Sequence, residues 1–205
     1  MNTQTKESQN ALTPELALKM LKEGNSRFVN NNKAQRNLND QVSATTGGQF
    51  PFAVVLSCID SRVPAEIVFD QGIGDIFSVR IAGNFINDDI LGSMEFACKL
   101  AGSKLIVVLG HSSCGAVKGA CDHAELGNLT QMLEKIAPAV NSVEETGDRS
   151  SKNPDFVQKV SDKNVELALS NLKEKSSVLN EMIESKEVGL VGAMYSVETG
   201  KVTFM

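Results

Sequence analysis

The chain has 205 residues, of which 41% are hydrophobic, and its 25 acidic and 20 basic side chains give a net charge of −5. A chain of this length can bury a substantial core without disulfide bonds, and we expect a single domain over residues 1–205. The acidic balance, without a basic stripe, argues against a nucleic-acid or membrane partner. Because no secretory signal or membrane-spanning run is visible in the sequence, we expect a cytoplasmic location.

The first half of the chain predicts an N-terminal helix followed by alternating strands and helices. Residues 1–12 are polar, and we expect them to be flexible. Thr13 and Pro14 are typical of a helix start, and apolar residues at helical spacing predict a helix over 14–31. Residues 33–50 resemble an extended connector. Apolar, β-branched runs then predict strands at 52–57, 76–81 and 105–109. Helices are predicted between them, at 63–70 and 87–102.

The second half predicts helices and a terminal hairpin. Residues 126–184 contain no clear strand and indicate two or more helices, divided by the polar stretch 144–153. Residues 188–195 and 201–204 are predicted to form the hairpin. Because strands that alternate with helices imply right-handed crossovers, we predict an α/β fold. Its central sheet is mainly parallel and flanked by helices, with an N-terminal helix and a C-terminal hairpin.

Residues with metal-binding side chains follow two of the predicted strands. Cys58 comes directly after the strand 52–57, and His111 and Cys114 lie in the turn after 105–109. Ligands of open α/β sheets bind at the carboxyl ends of the strands, so we expect the three to meet. Thiolates and an imidazole suit Zn²⁺, and three such ligands leave one exchangeable position, as in catalytic sites. The alternative is that the cysteines are small core residues and the histidine belongs to the turn.

Asp60 and Arg62 lie just past the first strand, where they can form a charge-assisted pair. If Arg62 holds Asp60, the fourth position of the metal is left to a water, which Asp60 can orient. If the pair opens, Asp60 becomes a fourth metal ligand and closes the site. The alternative is a local ion pair that only caps the following helix.

Two motifs carry a resemblance to a known family. C-x-D-S-R at 58–62 is followed about fifty residues later by G-H-x-x-C-G at 110–115. This pair resembles the signature of the β-class carbonic anhydrases, and the similarity runs from Glu23 to the terminal hairpin, more weakly over 126–187. The resemblance implies reversible hydration of carbon dioxide to bicarbonate and a proton. It also implies Zn²⁺ bound by Cys58, His111 and Cys114, with Asp60 and Arg62 as catalytic residues.

The resemblance further implies substrate-binding residues and a partner subunit. A glutamine nine residues before the first cysteine binds the substrate in the family, and Gln49 has that position here. Phe77 and Phe96 match aromatic positions that line the cleft, with ordinary core packing as the alternative. Because family members build the active site at a dimer interface, we expect a homodimer or homotetramer. Ala82 stands where many relatives have a bulkier residue, and the chain lacks the tryptophan of the bicarbonate site in some bacterial relatives.

Two other functions fit the same motifs. A hydrolase acting on carbon disulfide or carbonyl sulfide would use the same metal site. A non-catalytic zinc-binding or redox-sensing protein would need the cysteines and the histidine but not Asp60, Arg62 or Gln49. The other cysteines, Cys98 and Cys121, are predicted to be buried in helices without binding metal, and His123 is predicted to lie on the surface.

Overall fold

The computed structural model describes residues 3–205 and contains a five-stranded sheet in the order β2-β1-β3-β4-β5. The strands are β1 Ala53–Ser57, β2 Ile76–Arg80, β3 Leu105–His111, β4 Gly189–Tyr195 and β5 Val202–Phe204. Strands β1 to β4 are parallel, and β5 pairs with β4 in the antiparallel direction. The predicted α/β fold with a mainly parallel sheet and a terminal hairpin is therefore confirmed.

Helices pack on both faces of this sheet. They are α1 Lys6–Asn10, α2 Pro14–Val29, α3 Leu38–Ala44, α4 Ala65–Val68, α5 Asp88–Glu95, α6 Gly115–Cys121, α7 Gly127–Glu134, α8 Ala137–Ser142, α9 Pro154–Lys175 and α10 Ser177–Glu184, with a π-helix at Phe96–Leu100. Thr13 caps α2 by accepting a hydrogen bond from the Leu16 N–H, and Pro14 takes the first helical position, as predicted. Among residues 3–205, no helix has both the length and the apolar character that crossing a membrane requires.

The central strands are apolar on both sides because each of their faces is covered. In β1, Ala53 and Val55 face a core layer formed with α2 and α4, whereas Val54 and Leu56 face a layer formed with α5, α9 and α10. Every residue of β1 and β3 is buried. This burial explains why the sequence shows continuous apolar runs here instead of alternation, and it fixes the carboxyl ends of both strands.

The N-terminal residues differ from the expected flexible segment. Residues 6–10 form α1, in which the Thr5 side chain accepts a hydrogen bond from the Ser8 N–H. The buried Gln9 amide donates to Pro51 O and Ala101 O, each over 2.8 Å. These long-range contacts explain an order that the polar local sequence does not predict. Residues 1 and 2 of the expected flexible segment lie outside the described residues.

Two further segments differ in detail. The expected extended connector over 33–50 contains α3, which Asn37 caps and whose buried Gln41 accepts a hydrogen bond from the Ile73 N–H. The predicted helix over 87–102 instead changes from α5 to the π-helix. Such a change of hydrogen-bond pattern cannot be read from apolar spacing, and Phe96, where the π-helix begins, is exposed.

Candidate metal centre

Strands β1 and β3 bring the metal-binding motifs to the same edge of the sheet. They are parallel neighbours, with Ser57 opposite Leu109. Cys58 therefore follows the end of one strand, and His111 is the last residue of the other. Cys114 begins α6 three residues later as its N-cap. The expectation that the three residues meet at the carboxyl end of the sheet follows from this register.

The three donor atoms form a compact buried cluster. The two sulfur atoms and a ring nitrogen of His111 all lie within 4.8 Å of one another, and the Sγ atoms of Cys58 and Cys114 are 3.9 Å apart. Nδ1 of His111 lies 2.9 Å from Ser112 O, which can accept its proton and fix the ring. Nε2 is buried and has no hydrogen-bond partner within residues 3–205. A buried polar atom is costly without a partner, so the donor set fits a thiophilic divalent metal.

The pKa values of the two thiols are shifted in opposite directions. A hydrogen bond from Cys114, reinforced by His111 and by Gly83, lowers the pKa of Cys58 to about 4 despite its burial. The same hydrogen bond to Cys58, together with burial, raises the pKa of Cys114 above its ordinary value. The metal-free pair therefore carries one thiolate and one thiol near neutral pH, and its negative charge favours a cation.

Asp60 lies beside the cluster in a two-point contact with Arg62. The guanidinium Nε donates to Oδ1 over 2.9 Å and Nη2 donates to Oδ2 over 2.7 Å, while the Arg62 backbone N–H also reaches Oδ1. These hydrogen bonds hold the pKa of Asp60 well below its usual range. Oδ2 lies 3.9 Å from Nε2 of His111. The carboxylate is thus close to His111 while both of its oxygens are held by Arg62.

A second loop, residues 80–84, contacts Cys58 from the side of β2. The Arg80 guanidinium donates to Cys58 O over 2.9 Å and to Asp60 O over 2.7 Å. The Gly83 N–H donates to the Cys58 sulfur over 3.3 Å. The sequence predicts no role for Arg80 or Gly83, although both lie within the stretch over which the chain resembles the family. The signal was therefore present, but only the fold shows what the loop contacts.

The proposed substrate residues lie apart from the donor cluster within one chain. Phe77 and Phe96 meet edge to face with ring centroids 6.2 Å apart, along a surface groove of about 840 Å³ between β2 and α5. Phe77 pairs with Val54, three residues before Ser57, which places it roughly 10 Å from the carboxyl end of the strand. Gln49 is exposed in the segment before β1.

The remaining cysteines and the second histidine lie outside the cluster. Cys98 and Cys121 are buried in apolar layers, and burial raises their pKa to about 12 and about 11, respectively. His123 is exposed in the turn after α6, with a φ of 52°. The two cysteines are therefore buried and His123 lies on the surface, as the sequence predicts.

Comparison with known proteins identifies the family. The family model of carbonic anhydrases matches residues 53–202. Carbonic anhydrase 2 of Mycobacterium tuberculosis is 39% identical over 194 residues, which cover 92% of this chain and 91% of that protein. The chain belongs to the β-carbonic anhydrase family. The carbonic anhydrase of Mycolicibacterium smegmatis is 36% identical over 195 residues, again covering 92% of each chain.

Solved β-carbonic anhydrase structures share the fold of this chain. CafA of Aspergillus fumigatus superimposes with a TM-score of 0.71 at 24% identity, covering 93% of this chain and 89% of that one. A tetrameric β-carbonic anhydrase of Sordaria macrospora gives a TM-score of 0.70 at 21% identity, covering 80% of this chain and 85% of that one. The family model and the 39% identical relative show that the protein is an enzyme of a family whose general reaction is the hydration of carbon dioxide.

Proposed function

We propose that this protein binds Zn²⁺ through Cys58, His111 and Cys114 and catalyses the reversible hydration of carbon dioxide to bicarbonate and a proton. The observation that carries the proposal is the buried cluster of three donor atoms within 4.8 Å of one another. Two sulfurs and one imidazole nitrogen match Zn²⁺ better than the oxygen-seeking Mg²⁺ or Ca²⁺. When bound, Zn²⁺ supplies the Lewis acidity that makes water a nucleophile near neutral pH.

The Asp60–Arg62 pair favours catalysis over simple metal storage. Arg62 holds both carboxylate oxygens, so Asp60 would stay out of the coordination of the metal and leave the fourth position to a water. A lone pair remains on Oδ2, 3.9 Å from Nε2 of His111, and can accept a hydrogen bond from the attacking water. This bond orients the oxygen lone pair of the water toward the carbon of the substrate. A metal-storage protein would not need this pair.

The residues proposed to contact the substrate call for a second copy of the chain. Strand β2 lies at the edge of the sheet, and beside it Phe96 is 51% exposed. An edge strand next to an exposed aromatic ring is typical of a surface that another chain covers. We therefore infer a homodimer, alone or paired into a homotetramer, in which Phe77 and Phe96 line a cleft at the interface. In that cleft the Gln49 amide would donate to an oxygen of the forming bicarbonate.

The proposed cytoplasmic location is supported by the thiol chemistry of the site. All four cysteines are free, and two of them are the proposed metal ligands. Thiolate ligands need a reducing compartment to stay available for metal. Fractionation of the cells that express the protein, followed by detection with an antibody, tests this location.

The catalytic proposal is tested by rate and metal content measured on the same preparation. Stopped-flow hydration of carbon dioxide, from about pH 6.5 to about pH 9, should give activity that follows zinc content up to one zinc per chain. Treatment with a chelator should remove both, and added Zn²⁺ should restore both. Absence of zinc from a folded preparation would contradict the metal site. Stoichiometric zinc without hydration activity would contradict the reaction, and carbon disulfide would then be tested as substrate.

A further inference from the structure

Gly83 lies between a proposed metal ligand and the long helix α9. Its backbone N–H donates to the Cys58 sulfur over 3.3 Å. Its carbonyl oxygen accepts a hydrogen bond from Nδ2 of Asn164, in the middle of α9, over 2.7 Å. One residue thus joins the ligand sulfur to a side chain 81 positions further along the chain.

The backbone of Gly83 is held in one conformation. Its φ is +80°, a region that disfavours other residues, and an added Cβ would come within 2.4 Å of Cδ1 of the buried Ile136. The turn is closed by a hydrogen bond from the Asn84 N–H to Ile81 O over 3.0 Å. The N–H and the carbonyl of Gly83 belong to consecutive peptide groups that share its Cα, so a hydrogen bond that holds the carbonyl also restrains the residue whose N–H faces Cys58.

Asn164 is an unusual residue for its place in the helix. It is 4% exposed, and most of its neighbours on the buried side of α9 are apolar, including Val160 and Val165, whereas the buried Ser161 hydroxyl bonds within the helix to Val157 O. Asparagine is a weak helix former, and a buried amide is costly unless it is paired. An apolar residue would suit the packing better, so the bond to Gly83 O is the feature that distinguishes asparagine here.

We propose that Asn164 is a positioning residue of the metal site, which acts through Gly83 to keep the backbone N–H aimed at the Cys58 sulfur. Hydrogen bonds to ligand sulfurs and to the groups behind them orient the ligand and tune the metal. Because α9 packs directly against β3 and β4, it gives the loop 80–84 a rigid support. This inference rests on the proposed metal site.

The test compares two substitutions of Asn164 with a matched control on the same helix. Asn164→Leu and Asn164→Ser remove the amide donor, whereas Asn171→Leu changes a half-buried asparagine two turns further along α9. Zn²⁺ affinity is measured by competition with a chelating indicator, and Co²⁺ is substituted to record the thiolate charge-transfer absorption. We expect about a 10- to 100-fold loss of Zn²⁺ affinity and a shifted Co²⁺ absorption in both Asn164 variants. The Asn171 variant should match the wild type in both.

A purely structural role of Asn164 gives a different result. It would lower the resistance of the metal-free protein to urea but leave the Zn²⁺ affinity and Co²⁺ absorption of the folded variants unchanged, which would overturn the inference. The leucine side chain creates more steric strain than serine. The serine variant is therefore included so that the test can be made even if the leucine variant does not fold. If the wild type itself binds neither metal, the proposed function fails. If the wild type binds metal and the Asn164 variants match it in Zn²⁺ affinity and Co²⁺ absorption, the positioning role fails while the proposed metal site stands.

The hydrogen bond from the Gly83 N–H to the Cys58 sulfur can be tested directly in the wild-type protein. With the NMR-active cadmium isotope bound, a hydrogen bond from the Gly83 N–H to the Cys58 sulfur transmits scalar coupling between the amide proton and the metal. We expect this coupling at Gly83 in the wild type and its reduction in Asn164→Ser. An uncoupled Gly83 amide in the metal-loaded wild type would overturn the inference without any variant.

Discussion

Arg62 donates hydrogen bonds to both carboxylate oxygens of Asp60, through Nε over 2.9 Å and through Nη2 over 2.7 Å. Two parallel bonds fix the plane of the carboxylate as well as its position. The same Nη2 lies 3.4 Å from Ser113 O, on the loop that carries Cys114. Arg62 therefore links the two loops of the metal site and sets the direction in which Asp60 points.

Removal of the guanidinium should separate metal binding from catalysis. In Arg62→Ala we expect zinc to remain at one per chain and kcat/KM for carbon dioxide hydration to fall by about 100-fold, because Asp60 loses its orientation. The kcat/KM of Arg62→Lys should lie between those of the wild type and Arg62→Ala, since lysine keeps the charge but not the two-point geometry. Stopped-flow rates and metal analysis of the same samples check this. A fully active alanine variant would show that the pair does not serve the reaction.

The four cysteines should divide into two classes. Cys58→Ser and Cys114→Ser are expected to lose zinc, whereas Cys98→Ala and Cys121→Ala should keep it at the wild-type level. Neither of the latter two sulfurs belongs to the group of three converging donor atoms, although Cys121 lies in the same apolar layer as Cys58 and Cys114, so these variants should lose only stability, by about 1 kcal/mol. Metal analysis and urea unfolding measure the two effects. Zinc loss from either alanine variant would contradict the assigned ligand set.

Metal binding should release about one proton from the thiol pair near neutral pH. The hydrogen bond from Cys114 lowers the pKa of Cys58 to about 4, so Cys58 is already a thiolate, whereas the raised pKa of Cys114 keeps its proton until the metal displaces it. Apparent affinity should therefore fall as the pH is lowered, and more steeply below about pH 4, where Cys58 also becomes protonated. Proton release on adding Zn²⁺ to metal-free protein in weak buffer is the measurement. Affinity independent of pH would exclude thiolate ligands.

The sequence predicts the centre of the fold and the donor cluster because both depend on local patterns. The buried runs of β1 and β3 are short and β-branched, and each ends directly at a ligand motif. Once the two strands are parallel neighbours, Cys58 and His111 must lie at the same edge. Helix α2 was equally visible from its cap and its apolar spacing.

Other features depend on contacts between distant residues and leave little local signal. Helix α3 follows from the Asn37 cap and from the contact of Gln41 with the Ile73 N–H, a partner 32 positions away. Helix α1 is held in place by hydrogen bonds from the Gln9 side chain to Pro51 O and Ala101 O, which are distant in the sequence. The support of Cys58 by Gly83 and Asn164 likewise joins separate elements, so no spacing rule could have shown it.

The β2 face should control assembly and activity together. In Phe96→Asp, a charge replaces the exposed ring beside the edge strand, and we expect monomers in analytical ultracentrifugation with at least a 10-fold loss of kcat/KM. Leu126→Asp is the control, because Leu126 is 71% exposed before α7 and not part of the β2 groove. Wild-type assembly of the Phe96 variant would place the dimer interface elsewhere.

Two buried aspartates should affect stability with opposite dependence on pH. Burial alone raises the pKa of Asp70, but hydrogen bonds from Arg27, the Ala34 N–H and Arg36 outweigh it and lower the net value. Burial raises the pKa of Asp75, whose Oδ1 has no hydrogen-bond partner in the described part of the chain. The ionised form is therefore favoured by folding at Asp70 and disfavoured at Asp75.

Asp70→Asn should cost about 3 kcal/mol of unfolding free energy at neutral pH, because it removes the charge that pairs with the buried Arg36. A lowered folded pKa contributes stability above the unfolded value of about 3.9, so the cost should shrink as the pH falls below about 4. For Asp75→Asn the pH dependence is opposite. The unfolding free energy of the variant should rise relative to that of the wild type as the pH rises through the raised pKa of Asp75. Urea unfolding with a chelator present, so that metal release does not contribute, measures both. The same pH dependence in the two variants would contradict the opposite charge preferences of these sites.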